Sequence, residues 1–291
     1  MSRRLRALVL ALALLSLFGC ARRPPRPPRA TGTLRVSAID VGQGDSLLVQ
    51  FPDGETMLVD AGEREAGPKV VRYLESQGVT HIERLVATHP HADHIGGMEE
   101  VLNTFAVARV WDSGYVHGSR TQEDFYRAVK DQGIRFGKPR AGFHDKLGGV
   151  DISVLAPPEH LLSGTESDAN NSSLVLLLTY GKVSFLLTGD MEQEERATVA
   201  HWPRVTVLKV AHHGSYNGTD ARFAKALSPR FAVISYGKDN PYGHPHEAAR
   251  QALIDVGAQL LETARDGTVT FTTDGKSVTC TTTADTEQEA K

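Results

Sequence analysis

The stretch Thr88-His89-Pro90-His91-Ala92-Asp93-His94-Ile95-Gly96-Gly97 places three histidines and one aspartate within six consecutive positions. It directly follows Leu85-Val86-Ala87, an apolar run that predicts a buried strand. Neutral imidazole nitrogen and carboxylate oxygen are ligand types that hold zinc or manganese. Because ligands clustered this tightly are costly to keep together without a cation, the stretch predicts a metal site rather than a histidine-rich surface turn.

Two further polar groups stand at the ends of apolar runs. Asp190 closes the run at residues 185–187, and His212 and His213 follow the run at residues 205–210. Ligands are commonly displayed at the ends of buried strands, so both groups are candidates for the same site. Asp190 could also cap the helix predicted just after it, and the two roles are compatible.

The opening pattern His-x-His-x-Asp-His, met at His89, His91, Asp93 and His94, resembles the signature of the metallo-β-lactamase superfamily of metal-dependent hydrolases. More narrowly, the chain resembles the hydrolase domain of ComEC-type DNA-uptake channel proteins. The blocks that carry this second resemblance are residues 40–46, 58–62, 170–175, 187–190, 211–215 and 242–246. They run in family order, and the resemblance implies an αββα sandwich, an α/β fold of two mixed β-sheets flanked by helices.

The superfamily resemblance also implies a pair of divalent metal ions, Zn or Mn. The first would be held by His89 and His91, and the second by Asp93, His94 and His213, with Asp190 bridging the two. Which of the adjacent histidines His212 and His213 ligates stays open from the sequence.

The remaining site residues are assigned by the same resemblance. Asp93 is expected to orient or deprotonate the attacking water, His212 to lie near the leaving or phosphoryl oxygen, and His244 to face the substrate as a hydrogen-bond or proton donor. Residues expected to support the ligands from behind are Asp40, Gln43, Asp45, Asp60 and Asn171.

The superfamily usually supplies one more histidine between the opening motif and the bridging aspartate. This chain has Asn170-Asn171-Ser172-Ser173 there. The first cation is therefore expected to have a weak amide ligand or only water at that position, with His144 and His160 as possible substitutes. Such a site would favour manganese or a single loosely bound ion over a tightly held zinc pair.

The N-terminus predicts export. Three arginines precede an apolar stretch at residues 7–18, and the segment ends in Leu17-Phe18-Gly19-Cys20. This ending resembles a bacterial lipobox, so we expect residues 1–20 to be a lipoprotein signal peptide and Cys20 to be lipidated. The protein would then be extracytoplasmic and anchored to a bacterial membrane, the alternative being an uncleaved anchor.

The predicted domain organisation follows from composition. Residues 21–32 are rich in proline and arginine and predict an extended tether. Residues 33–280 would form the hydrolase domain, and the polar, acidic residues 281–291 a disordered tail. Cys280 is the only other cysteine, so no disulfide is expected within the domain.

Within the domain, short apolar runs separated by turn residues predict strands near residues 34–40, 46–51, 55–60, 84–88, 151–156, 173–179, 183–188, 205–210, 231–235 and 268–273. The first three read as an antiparallel meander. Helical spacing of apolar residues appears in both halves, including residues 67–77 and 192–200. Two successions of strands with outlying helices suggest two sheets packed face to face.

The charge limits the class of partner. Residues 1–29 hold 7 of the 32 basic residues and none of the 35 acidic ones, which leaves 25 − 35, a net charge of −10, for the remainder. Backbone-driven DNA binding relies on clustered lysine and arginine, so this balance counts against a processive nuclease. Two divalent metals and a local basic groove could still serve a short or single-stranded substrate. Gly42 and Gly44 lack the following helix and lysine of a phosphate-binding loop, so no nucleotide cofactor is expected.

Together these features predict a metal-dependent hydrolase, a phosphodiesterase or nuclease of the ComEC-like type that uses a metal-bound hydroxide on a phosphodiester or DNA. Two alternatives remain at this stage: hydrolysis of an ester, lactone or β-lactam on the same fold, and a non-catalytic metal or DNA receptor at the envelope.

Overall fold

The computed structural model describes residues 32–285. The predicted signal peptide, Cys20, the tether up to residue 31 and residues 286–291 of the predicted tail lie outside the described residues. Within the described range, no helix is both long enough and apolar enough to cross a membrane.

One mixed sheet is built mainly from the N-terminal half of the chain. Among residues 32–285 it has eight strands in the order β17-β16-β1-β2-β3-β5-β7-β8. Their bounds are β1 (Leu34–Ala38), β2 (Leu47–Gln50), β3 (Thr56–Val59), β5 (Arg84–Ala87), β7 (Arg109–Asp112), β8 (Arg135–Gly137), β16 (Val269–Thr273) and β17 (Val278–Thr282). β4 (His81–Ile82) and β6 (Ala106–Val107) pair separately in parallel.

The second mixed sheet comes from the C-terminal half. In the described part of the chain it has seven strands in the order β15-β14-β13-β12-β11-β10-β9. Their bounds are β9 (His144–Leu147), β10 (Val150–Ala156), β11 (Val175–Tyr180), β12 (Val183–Leu187), β13 (Val207–Lys209), β14 (Phe231–Ile234) and β15 (Gln259–Glu262). β9 to β12 pair antiparallel, whereas β12 to β15 pair in parallel.

Helices connect the strands on the outside of both sheets. They are α1 (Gly67–Ser76), α2 (Ala92–Ile95), α3 (Met98–Thr104), α4 (Arg120–Asp131), α5 (Gln193–Arg196), α6 (Ala221–Leu227), α7 (Glu247–Asp255) and α8 (Thr263–Asp266). Short 3-10 turns occur at Arg64–Ala66, Asn170–Ser172 and Ala211–Gly214.

Three layers of buried side chains hold these elements together. The central layer joins the two sheets, for example through Phe271 of β16 and Phe185 of β12, whose rings lie 6.2 Å apart. A second layer packs α1, α3 and α4 against the first sheet, and a third packs α6 and α7 against the second. Because alternate strand residues point to opposite faces, each sheet contributes to two layers. The predicted αββα sandwich is confirmed.

The structure differs from the sequence prediction at two places. β17 pairs with β16 and continues through Thr282, so it includes the first two residues of the predicted tail. In its sequence, Val278-Thr279-Cys280-Thr281-Thr282, Val278 is the one aliphatic residue, so the hydrophobic signal for a strand is weak. The helix predicted at residues 192–200 is only the single turn of α5. After it, the Thr198 and Val199 amides bond to carbonyls three residues back, and the Trp202 indole donates to the Arg196 carbonyl.

The parallel strands position the candidate site. β3 and β5 are parallel neighbours in one sheet, and β12, β13 and β14 are parallel neighbours in the other. The carboxyl ends of parallel strands lie at one edge of their sheet, where ligands usually bind. The opening motif follows β5, and the later candidate ligands follow β12 and β13, so both sheets deliver polar side chains to one place.

Candidate metal centre

The opening motif turns sharply after β5. His89 follows the strand, His91 stands at the N-terminus of α2, and Asp93 and His94 lie within that single helical turn. The preceding block supports the turn, because the Asp45 amide donates to the Asp93 carbonyl over 3.2 Å. Gly44 makes this approach possible: its φ is +105°, and a Cβ there would lie 1.9 Å from the same carbonyl oxygen.

Four side chains from three segments converge on one point. His213 Nε2 lies 3.3 Å from His94 Nε2, 3.3 Å from Asp93 Oδ2 and 3.3 Å from Asp190 Oδ2. The other oxygen, Asp190 Oδ1, lies 3.3 Å from His94 Nε2. Ligands about 2.0–2.1 Å from a tetrahedral zinc stand roughly 3.3 Å from one another. The four donors therefore fit the size of a single divalent cation.

A second group of donors adjoins the first. His89 Nε2 lies 3.1 Å from His91 Nδ1 and 3.8 Å from Asp190 Oδ2. Asp190 therefore faces both groups, and its carboxylate would be shared by cations bound at the two groups. The first ligand group is defined here as His89, His91 and Asp190, and the second as Asp93, His94, Asp190 and His213. These donors fit a pair of divalent cations.

The adjacent histidines reach the site through an unusual backbone. His212 and His213 have φ/ψ of 48°/49° and 53°/25°, both in the left-handed region. Non-glycine residues pay roughly 1–2 kcal/mol each for that conformation, so the surrounding structure must hold it. Gly214 follows the pair with φ of +80°, and the Ser215 amide donates to the His212 carbonyl. This tight turn lets two consecutive imidazoles approach Asp190 from one side.

Hydrogen bonds from behind orient the imidazoles of the second ligand group. His94 Nδ1 donates to Asp60 Oδ2 over 2.7 Å, and His213 Nδ1 donates to the Ser235 carbonyl over 2.9 Å. Each bond directs the opposite nitrogen, Nε2, towards the centre. Asp60 is itself held by the amide and hydroxyl of Thr88. Such partners set both the tautomer and the orientation of ligating histidines.

A buried ion pair lies next to His213. Lys209 Nζ is 2.8 Å from Asp45 Oδ2, and both side chains are almost completely inaccessible to solvent. The other oxygen of Asp45 lies 3.5 Å from His213 Nδ1. A buried charge needs a partner, and Lys209 provides one for Asp45.

The electrostatics of the centre favour added positive charge. Burial by itself would lower the pKa of His94, but the carboxylates of Asp190, Asp60 and Asp93 outweigh it and hold that pKa well above its usual value. The same competition, dominated on the raising side by Asp190, takes the pKa of His213 to about 10. In the metal-free protein, protons on these two imidazoles therefore compensate the buried carboxylates.

The first ligand group behaves differently. Burial and the neighbouring His94 hold the pKa of His89 well below its usual value, and burial lowers the pKa of His91. Both imidazoles are therefore neutral at physiological pH, the form that coordinates a cation directly.

The other predicted residues are placed as follows. His212 Nε2 lies 3.8 Å from Asp190 Oδ2, and the His244 ring lies 5.4 Å from that of His212. Burial, followed by the charges of His213 and His212, lowers the pKa of His244 to about 4, so its imidazole is neutral. Gln43 lines the cavity and accepts a hydrogen bond from the Gly237 amide.

Two residues predicted to support the ligands have other partners. The Asp40 carboxylate accepts from Lys69 Nζ and from the Gly42 amide and is partly exposed. Asn171 is buried but bonds to Glu192, Glu194 and the Glu195 amide. The cavity lies beside its neighbour, Asn170.

Sequence reasoning did not select Asn170, Glu192 or Lys209. Asn170 lines the cavity and donates to Glu192 Oε1 over 2.8 Å, and the same carboxylate oxygen lies 3.3 Å from His212 Nδ1. Glu192 reads as an ordinary first-turn helix residue and Lys209 as an interruption of an apolar strand. Lys209 carried a signal, since a lysine within a buried strand requires a buried partner. Asn170 carried one as a member of the Asn170-Asn171 pair, from which the sequence selected Asn171.

The two ligand groups border a cavity of about 360 Å³. It is lined by Gln43, Glu63, His91, Ala92, Asp93, Asn170, Asp190, His212, His213, Tyr242 and His244. The volume suits a small ligand or one segment of a larger one.

Comparison with known families agrees with this geometry. The family model described as the Metallo-beta-lactamase superfamily matches residues 39–238. The chain belongs to the metallo-β-lactamase superfamily. The matched range contains both ligand groups.

Two sequence relatives show which members of the superfamily this chain resembles. ComE operon protein 3 of Bacillus subtilis is 33% identical over 257 residues, and Competence protein ComA of Neisseria gonorrhoeae is 32% identical over 241 residues. Each alignment covers 81% of this chain but 32% of the relative, so the chain spans about a third of their length. The predicted resemblance to ComEC-type domains is confirmed.

Solved structures show the same fold. The metallo-beta-lactamase fold protein YhfI from Bacillus subtilis superimposes with a TM-score of 0.54 at 14% identity, covering 79% of this chain and 95% of YhfI. The diiron β-hydroxylase CmlA from Streptomyces venezuelae gives a TM-score of 0.51 at 16% identity, covering 81% of this chain and 53% of CmlA. The superfamily fold is thus shown, and its chemistry must be argued from the site.

Asp60→Asn tests the support behind His94. Asp60 has φ of 60°, a conformation that asparagine also tolerates, so the substitution removes charge without adding backbone strain. We expect the affinity for divalent cations to fall about 10- to 100-fold, because the hydrogen bond that orients His94 loses its charged acceptor. Competition with a fluorescent chelator measures this. Asp151→Asn, which alters an exposed carboxylate paired with Lys146, is the matched control and should bind as the parent does.

Cation binding should release protons. His94 and His213 have raised pKa values in the metal-free protein, and ligation requires their Nε2 atoms to be deprotonated. We expect about one to two protons to be released per chain at neutral pH, and the apparent affinity to rise from about pH 6 to about pH 9, because the pKa of His213 is about 10. Calorimetry in buffers of different ionisation enthalpy measures the release, and a binding heat independent of buffer would contradict this electrostatic account.

Proposed function

We propose that this protein is a two-metal phosphodiesterase that cleaves short or single-stranded nucleic acid on the outer side of a bacterial membrane. The observation that carries the proposal is the position of Asp190 in the cavity lining. Its Oδ2 lies 3.8 Å from His89 Nε2 of the first ligand group and 3.3 Å from His213 Nε2 of the second. That arrangement suits in-line displacement at phosphorus, where attacking and leaving oxygens both need charge compensation.

Divalent cations held by these residues would supply an activated water and offset the negative charge that builds on the phosphoryl oxygens. Asp93 is the residue placed to orient that water. Its carboxylate is mostly buried yet borders the cavity, and it contacts His213. His94 and His213 keep the carboxylate ionised by holding its pKa below the usual range against the effect of burial.

His212 is placed to serve the leaving group. Its Nδ1 lies 3.2 Å from Asn217 Oδ1 and 3.3 Å from Glu192 Oε1, which leaves Nε2 directed towards Asp190 and the cavity. An imidazole oriented by a carboxylate can hold a proton at its outer nitrogen and deliver it to a departing oxygen. Its position favours this role over ligation, which His213 fills with shorter contacts to Asp93 and Asp190.

His244 would act as a hydrogen-bond donor. Its imidazole is neutral because its pKa is lowered to about 4, so it offers an N–H without competing as a cation. The Asn240 side chain holds the loop by donating to the His244 carbonyl and accepting from the His244 amide. A donor fixed beside the centre can stabilise developing phosphoryl charge.

The rim of the cavity favours a substrate with bases. Tyr242 lines the cavity, is 60% exposed and stacks against His244 at 5.6 Å. Tyr216, outside the lining, is 58% exposed and contacts His246 at 5.3 Å. Exposed aromatic rings beside a phosphate-cleaving centre are the platforms on which unpaired bases stack. The net charge of −10 outside residues 1–29 disfavours long duplex DNA, as the charge count from the sequence indicates.

The proposed location rests on two supports. The relatives named above include Competence protein ComA, and the N-terminal sequence ends its apolar segment with a lipobox-like Leu-Phe-Gly-Cys. We therefore propose that the mature protein is anchored through lipidated Cys20 and that residues 21–32 hold the domain off the membrane.

The activity test uses bis(p-nitrophenyl) phosphate with the full mature protein and added Mn²⁺ or Zn²⁺. We expect metal-dependent turnover that Asp190→Asn reduces by about three orders of magnitude or more, because both ligand groups lose their shared charge. Asp151→Asn is again the matched control and should retain parental turnover. Release of p-nitrophenolate measures both.

Other outcomes would redirect the assignment. Hydrolysis of nitrocefin or a lactone faster than the phosphodiester would favour acyl chemistry. Two bound cations with no turnover of phosphodiester or acyl substrates would favour a metal or DNA receptor.

Tyr242→Ala tests the base-bearing substrate. We expect kcat/KM for a single-stranded oligonucleotide to fall about 10-fold or more, since stacking is worth roughly 1–3 kcal/mol per base, while kcat/KM for an abasic strand of equal length stays unchanged. Tyr242→Phe should behave as the parent. Phe136→Ala, which removes an exposed ring of β8 outside the cavity, is the surface control. An equal loss on both strands would contradict stacking.

A further inference from the structure

The lining of the cavity contains a buried side-chain amide, that of Asn170, which the proposed function does not use. Asn170 is 4% exposed and lines the cavity together with His91 and Asp190. Among residues 32–285, its side-chain oxygen Oδ1 has no hydrogen-bond partner. Leaving a buried amide oxygen unpaired lowers the stability of the folded protein by roughly 1–3 kcal/mol, so a bound ligand that accepts its lone pair would be favoured.

The orientation of this amide is determined by its neighbour. Asn170 Nδ2 donates to Glu192 Oε1 over 2.8 Å. If the amide were turned over, its oxygen would face a carboxylate oxygen, and two acceptors would repel each other. The carboxylate cannot easily turn away, because Asn171 Nδ2 donates to its other oxygen over 3.2 Å. The nitrogen of Asn170 is therefore committed to Glu192, and the oxygen is the free end.

The loop that carries Asn170 is tied to the segments that carry the other ligands. The Leu174 amide donates to the Thr88 carbonyl over 2.9 Å, immediately before His89. The Ser173 hydroxyl accepts from the Asp190 amide over 3.1 Å. The 3-10 turn at Asn170–Ser172 is thus held in register with both sides of the first ligand group.

A chain of short distances connects the amide to that group. Asn170 Nδ2 lies 3.5 Å from His212 Nε2, which lies 3.8 Å from Asp190 Oδ2, which lies 3.8 Å from His89 Nε2. Asn170 is therefore linked through His212 and Asp190 to His89, and it lines the same cavity as His91 and Asp190.

We propose that Asn170 Oδ1 completes the first cation site and that Glu192 is the positioning residue that presents this oxygen. The first site then has two imidazoles, a bridging carboxylate and an amide oxygen. Oxygen ligands suit manganese, whereas imidazole suits zinc, so this site prefers manganese more strongly than a three-histidine site would. The inference rests on the proposed metal centre but not on the phosphodiester substrate.

Metal binding to the full protein tests the proposal. Isothermal titration of the metal-free protein with Mn²⁺ should show two sites, and Asn170→Ala should weaken one of them roughly 10-fold or more while leaving the other unchanged. Glu192→Gln should weaken the same site to a smaller extent, because the glutamine can still accept from Asn170 Nδ2 through its single oxygen. Asn170→His should raise the affinity of that site for Zn²⁺ relative to Mn²⁺.

Electron paramagnetic resonance of the Mn²⁺-loaded protein gives a second readout. The parent should show the spectrum of a coupled manganese pair, which Asn170→Ala reduces to that of a single ion at limiting metal. Asn103→Ala, an exposed asparagine of α3, is the matched control and should retain the pair. Circular dichroism of each metal-free variant checks that the fold is retained, and Asn170→His covers the case in which Asn170→Ala does not fold.

Two results would overturn the proposal. One is parental Mn²⁺ affinity at both sites in Asn170→Ala together with an unchanged metal preference in Asn170→His. The other is loss of the first site in His212→Ala with retention in Asn170→Ala, which would make His212 the missing donor. If metal binding behaves as expected but no phosphodiester is cleaved, the proposed function fails and this inference stands.

Discussion

The structure depends on concentrating carboxylates where water cannot reach them. Asp45, Asp60 and Asp190 are each at most 2% exposed, and all three lie at or near the ends of strands from two different sheets. Buried charge must be compensated nearby. Lys209 does this for Asp45, and in the absence of metal His94 and His213 do so for the others by holding protons. A cation centre is the arrangement that relieves this charge without those protons.

The αββα sandwich supplies the rigidity that such a centre needs. Both sheets place the carboxyl ends of parallel strands at the same edge, and the central apolar layer fixes their relative position. This support allows costly local geometry, including the left-handed pair His212–His213 and the close approach of Gly44 to the Asp93 carbonyl. Strain of this kind persists only where the surroundings determine the backbone. The positions of the ligating side chains therefore depend on the packing of the apolar layer between the two sheets.

Much of the fold could be predicted because its signals are local. Apolar strands separated by turn residues, the opening motif and the strand-end Asp190 can all be recognised in short windows. β17 lies outside the predicted strands, because Val278 is its one aliphatic residue and the strand is held by pairing with β16. The choice between Asn170 and Asn171 was also beyond the sequence, since two adjacent identical residues differ only in which one the 3-10 turn directs at the cavity.

The sequence by itself determined the kinds of donors available: imidazoles and carboxylates placed at the ends of apolar runs, in an order typical of the metallo-β-lactamase superfamily. Only the tertiary structure decided which of these side chains lie nearest to one another and how each is oriented. It set His213 rather than His212 nearest to Asp93 and Asp190, and it turned the Asn170 amide by placing Glu192 behind it. The reason is physical, because orientation depends on contacts between segments distant in sequence, and no local pattern encodes which partner a side chain will meet.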